Sequence, residues 1–155
     1  MKKLSSIFYM WFGFGAAIAS VLAMFLPFIR VDNADKPATF FFFNGVGGLT
    51  YGAWPSFVGF MLILVAGLAL GIMALPIVQP SAKIEKIVLI SAFVSLVIGF
   101  FLVAVMGVMY TWLNTNVIAH PTSPIITYYL AGFYITLICA GLAAVANFIA
   151  LKLDW

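Results

Sequence analysis

The sequence predicts an all-α membrane protein: a four-transmembrane-helix bundle, N and C termini cytoplasmic, with a longer first outer loop that has room for short extended segments. Three observations carry that expectation. Residues 7–29, 57–78, 87–113 and 125–151 contain no Lys, Arg, Asp, Glu or His. A bilayer core about 30 Å thick takes about 20 apolar residues of helix to cross, and each run is long enough. Second, 66% of the 155 residues are apolar and the mean hydropathy is +1.23, so little chain is left for a soluble core. Third, if the spans alternate, Lys2, Lys3, Lys83, Lys86 and Lys152 fall on one side of the membrane. Arg30 and Lys36 fall on the other, beside Asp32 and Asp35. Basic residues in short loops favour the cytoplasmic face, which places the termini and residues 79–86 inside. The expected location is the plasma (cytoplasmic) membrane, in one domain covering residues 1–155.

The first span opens with Phe8, Tyr9, Trp11 and Phe12, aromatic residues suited to the headgroup level. Lys2 and Lys3 before an apolar stretch containing Ala17-Ile18-Ala19 resemble a secretory signal. The apolar sequence continues to Ile29, beyond a signal's hydrophobic core, so an uncleaved helix is expected, with Pro27 kinking its outer end. The second span starts near Trp54-Pro55, with Pro55 at the first helical position, and closes at Pro76 and Pro80. Ser81 is the candidate N-cap of the third span, and Glu85 complements the positive end of its dipole. Tyr110 and Trp112 mark its outer interface. Ser123-Pro124 repeats the cap-then-proline arrangement for the fourth span, followed by Tyr128 and Tyr129, and Trp155 returns to the inner interface.

Small residues recur at helical spacing in every span. They include Gly13 and Ala17, or Gly15, Ala19 and Ala23, in the first, and Gly59, Gly67 and Gly71 in the second. Ser91, Ser95 and Gly99 lie in the third, and Gly132, Thr136, Ala140 and Ala144 in the fourth. Residues four apart share a helix face, and small ones let backbones approach closely in lipid. Such faces serve either as seams inside one bundle or as contacts for another subunit. Asn147 and Thr136, with Tyr134, are candidates for hydrogen bonds between helices.

The outer loop of residues 30–56 is the least ordinary segment; that of residues 114–124 is shorter. The first places Phe40, Phe41, Phe42 and Phe43 in succession, then a glycine-rich stretch leading to Tyr51 and Trp54. Strand side chains alternate, so four consecutive aromatics cannot all lie on one face. Either the run folds onto the bundle or into the headgroup layer, or it forms an outer partner surface together with Tyr51 and Trp54.

Reactive chemistry is sparse. Proton- or ion-coupled carriers commonly place a titratable group inside the membrane, and the four runs hold no carboxylate, His or basic residue. His120 is the sole histidine, too few for a bis-His haem. Ser91 and Ser95 have no base within the spans to activate them. Cys139 is alone, and Met61, Met73, Met106 and Met109 read as adaptable packing. No catalytic residue, cofactor site or metal site is expected. The net charge of +3 reflects membrane topology, not nucleic-acid binding.

Four spans, a long first outer loop, and Gly48-Leu49 followed by Trp54 resemble the tetraspan arrangement of claudins and peripheral myelin proteins. The chain lacks the loop cysteine pair typical of claudins, and no aromatic residue immediately precedes Gly48-Leu49. Phe25-Leu26-Pro27-Phe28 before a glycine-rich loop also resembles small bacterial tetraspan proteins of unassigned function. Neither resemblance carries a functional residue onto this chain. The expected role is a non-enzymatic membrane subunit or scaffold, in contact with lipid and with other membrane subunits or its own copies. The alternatives are an oligomeric pore or transport component, and a receptor or immunity protein recognising an external peptide or toxin.

Overall fold

The computed structural model describes residues 4–32, 38–41, 53–113 and 126–153. Among the described residues, four helices are long and apolar enough to cross a membrane, which defines an integral membrane protein. They are α1 (Leu4–Ala23), α2 (Ala53–Ala74), α3 (Ala82–Leu113) and α4 (Ala131–Leu153). α1 packs on α2 and α4, and α3 also packs on α2 and α4. The helices therefore form a ring whose sequence neighbours touch and which α1 and α4 close.

A small antiparallel sheet accompanies the bundle. Strands β1 (Pro27–Asp32), β2 (Ala38–Phe41) and β3 (Ile126–Tyr129) lie in the order β2-β1-β3. Arg30 pairs with Thr39 on one side and Tyr128 on the other, so one central strand joins the two loops at this end of the bundle. The α2–α3 connection lies at the opposite end, as do the starting residues of α1 and the last turn of α4.

Two predicted spans are thereby corrected. The 7–29 run is not one kinked helix. α1 ends at Ala23, and the amides of Met24, Phe25 and Leu26 donate to carbonyls three residues back, tightening the last turn. Pro27 disfavours helical geometry in the residue before it, and β1 begins there. The 125–151 run is not wholly helical either. Residues 126–129 read Ile-Thr-Tyr-Tyr, β-branched and aromatic side chains that suit a pleated surface, and they pair with β1. The helix starts at Ala131 and still has 23 residues with which to cross.

At the other end, α2 stops at Ala74, ahead of Pro76. Pro55 is the third residue of α2, within the first turn, where its missing N–H breaks no intrahelical bond. Ser81 caps α3: its Oγ accepts the Ile84 amide at 3.4 Å and its carbonyl accepts the Glu85 amide at 3.0 Å. With 32 residues, α3 is about 48 Å long. It outreaches the hydrocarbon core.

Every helix buries a stripe with alternating steps of three and four residues. On α1 it runs Ser6, Met10, Gly13, Ala17, Ser20. On α3 it runs Glu85, Leu89, Ala92, Leu96, Gly99, Val103. That repeat keeps one seam of each helix facing its neighbours. The outward faces carry Phe8, Trp11, Leu22, Val65, Ile72, Ile98, Phe101, Ile138 and Val145, large apolar side chains whose natural solvent is lipid.

Gly132 marks the junction of bundle and sheet. A Cβ there would lie 2.6 Å from the Pro27 carbonyl oxygen, 3.0 Å from that of Leu26 and 3.1 Å from that of Ala23. All three are backbone atoms and cannot swing away. Gly132→Ala is expected to destabilise the protein by about 1–3 kcal/mol through overpacking. Thermal unfolding in detergent measures that loss; an unchanged melting temperature would show that the α1–α4 corner is not closed in this way.

Candidate functional site

The small-residue faces come together inside one chain. Gly67 meets Ala17 so closely that a Cβ on the glycine would lie 2.6 Å from the alanine methyl. One turn on, a Cβ on Gly71 would lie 2.7 Å from the Phe14 ring. These contacts form the α1–α2 seam. Gly59 and Gly99 form the α2–α3 seam: a Cβ on Gly99 would lie 2.7 Å from Ile63 and 3.2 Å from the Gly59 carbonyl. Gly13 faces Leu70 of α2 and the Ala143 and Ala146 region of α4.

Polar side chains lock the seams. Ser20 Oγ donates to the Thr136 carbonyl at 2.8 Å, and Thr136 Oγ1 donates to the Ser20 carbonyl at 3.5 Å. Both residues are buried, so α1 and α4 are tied by a reciprocal pair. Nearer the far end, Ser6 Oγ donates to the Ala150 carbonyl at 3.4 Å. Asn147 Nδ2 donates to the Leu89 carbonyl at 3.1 Å, joining α4 to α3. Its Oδ1 is buried without a hydrogen-bond partner among the described residues. Hydrogen bonds between membrane helices are worth about 0.6–2 kcal/mol each.

Other predicted positions fall elsewhere. Ser91 is exposed and Ser95 half-buried, so neither belongs to the tight α2–α3 contact made by Gly99. Gly15 is exposed, with nothing within 4 Å of its Cβ position. Tyr134 stands half-exposed in an aromatic group with Tyr129 and Phe133. Phe40 and Phe41 end β2, and Trp54 lies in the first turn of α2. Phe42, Phe43 and Tyr51 lie outside the described residues, as do Lys2, Lys3, Lys36, His120 and Trp155.

Ser6 and Ser20 share the α1 stripe with Gly13 and Ala17, and that helical spacing is the signal that marks them as seam residues. The fourth span hid a strand. Glu85, read as a dipole partner at the helix start, is only 8% exposed. Its position one turn before Leu89 on the α3 stripe was the available signal. Among the described residues, no three His, Cys, Asp or Glu side chains gather as a metal site. Cys139 is a half-buried free thiol.

No family model matches the chain, and no curated protein or solved structure matches it.

The seams make a contrast between glycines. Gly67→Leu and Gly99→Leu should force helices apart and cost about 1–3 kcal/mol or more. Gly15→Leu, on an open face, should leave unfolding unchanged. Melting curves of the three variants in one detergent would check this, and equal losses at all three positions would contradict the seam geometry.

Proposed function

We propose that this chain is a non-enzymatic membrane subunit or scaffold that presents its outer sheet to a membrane-protein partner or to a second copy of itself. The supporting observation is that β1 gathers β2 and β3, and so both outer loops, into one antiparallel sheet. Among the described residues β2 is an outside strand of that sheet, and Phe40-Phe41 at its end lead into Phe42-Phe43. The phenylalanine run thus begins from an ordered edge, and clustered outer apolar residues are a common mark of interfaces. Gly13, Gly59, Gly67, Gly71 and Gly99 are engaged inside the bundle and Gly15 alone of the predicted seam glycines lies on an open face, so the outer loop is the better supported contact.

In this reading the sheet lies outside the cell, and the termini and the α2–α3 connection lie in the cytoplasm. The excess of lysines at that end supports the orientation. The arrangement is similar to that of claudin-type tetraspans in its four spans and longer first outer loop. Apart from Ser6, Ser20, Glu85, Thr136 and Asn147, the buried side chains of the described residues are apolar. A conducting path would therefore have to form between copies.

Isolation of the tagged protein from its native membrane in mild detergent tests the proposal. Identifiable partner chains, or a homo-oligomer, should co-migrate with it. Replacing residues 40–43 by serine should release them while the melting temperature stays near that of the native bundle. A strictly monomeric protein with no reproducible companion would refute the subunit role. Cysteine introduced at Lys83 should react with membrane-impermeant maleimide only after the cells are opened; labelling of intact cells would reverse the orientation.

A further inference from the structure

We propose that the recess between the α2–α3 connection and the first turns of α1 binds the phosphate headgroup of an anionic phospholipid. The recess has a volume of about 780 Å³, within the usual range of small-molecule sites. Its lining combines apolar Ile7, Leu75 and Val78 with polar Gln79, Lys83, Glu85 and Lys86. This mixed lining suits a molecule with a charged head and a hydrocarbon body.

Its position favours the same ligand. The recess lies where α2 leaves the apolar layer and α3 enters it, at the end opposite the sheet. In an inserted bundle that level matches the headgroup region. Lys83 and Lys86 are three residues apart in the first turns of α3, so they project from neighbouring positions on one side of the helix. Both are exposed. The amino-terminal end of α3 adds the positive pole of its dipole, which favours an anion there. Glu85 also borders the recess, but it is turned into the helix packing and 8% exposed. Two lysines against one carboxylate leave the ionisable lining with a net charge of +1. Basic recesses between helices at the cytoplasmic surface are suited to anionic lipid headgroups.

The inference rests on membrane insertion in the orientation proposed above but not on the assembly role, so either can fail alone. Native mass spectrometry of the full chain tests it, with phosphatidylglycerol, phosphatidylcholine and soluble glycerol 3-phosphate as probes. One phosphatidylglycerol should be retained more tightly than phosphatidylcholine. The K83Q/K86Q variant should weaken that retention about tenfold or more. Val78→Trp, which fills the apolar wall without changing charge, should also weaken it. Lys152→Gln serves as the control: Lys152 does not line the recess, and its Nζ lies 5.3 Å from the Phe148 ring centroid. That variant should retain the lipid, with thermal melting confirming that each variant is folded. Equal losses for K152Q and K83Q/K86Q would reduce the effect to diffuse surface charge and overturn the proposal. So would undiminished binding by folded K83Q/K86Q or Val78→Trp protein, or glycerol 3-phosphate binding as tightly as the lipid.

Discussion

The close approach of α1 to α4 is the constraint on which the rest of the structure depends. These two helices come from opposite ends of the chain, so their contact closes the ring that the sequential neighbours begin. It is possible because the buried face of α4 is made almost wholly of small residues: Gly132, Thr136, Ala140, Ala143, Ala144, Ala146 and Ala150. The facing stripe of α1 supplies Ser6, Gly13 and Ser20. In lipid no hydrophobic driving force presses helices together, because the tails are as apolar as the side chains. Association then depends on the dispersion contacts that short side chains permit and on hydrogen bonds that hydrocarbon cannot replace. The Ser20–Thr136 pair supplies both ends of such a bond, and Ser6 adds a second anchor near the opposite end.

The sheet depends on the same contact. β1 follows α1 after a short turn and β3 precedes α4 by one residue, so the strands can pair only if the two helix ends lie side by side. Gly132 makes that possible by letting the start of α4 approach the carbonyls of Ala23, Leu26 and Pro27. The bundle and the sheet are therefore one mechanical unit.

Much of this was legible in the residues. A run without charges, long enough to cross a bilayer, has few alternatives, so the four crossings follow from the placement of lysines and carboxylates. Ser81 before an apolar helix was a sound cap signal because its oxygen has a specific amide to meet. The ends of the outer spans were harder to read. The absence of charge does not distinguish a turn of helix from a short strand, and 126–129 has no Lys, Arg, Asp, Glu or His to set it apart from the helix it precedes. What decides is pairing with β1, a partner nearly a hundred positions away. The partners of the small-residue faces were hidden for a similar reason. Gly67 and Gly99 carry the same local pattern whether they meet a helix of their own chain or of another, and only the three-dimensional arrangement assigns them to Ala17 and Ile63. The burial of Glu85 follows from the three-four repeat of α3, which local reading of the helix start passed over.

The most direct measurement is cross-linking across the α1–α4 seam in native membranes. Cysteines replacing Ser20 and Thr136, with Cys139 changed to alanine, would be treated with a short thiol cross-linker. The structure predicts rapid cross-linking within single chains at any protein density, visible as a mobility shift of the monomer. Cross-links formed only between two copies, or absent while both thiols still react with a small reagent, would show that the helices are not neighbours in one chain and would contradict the architecture.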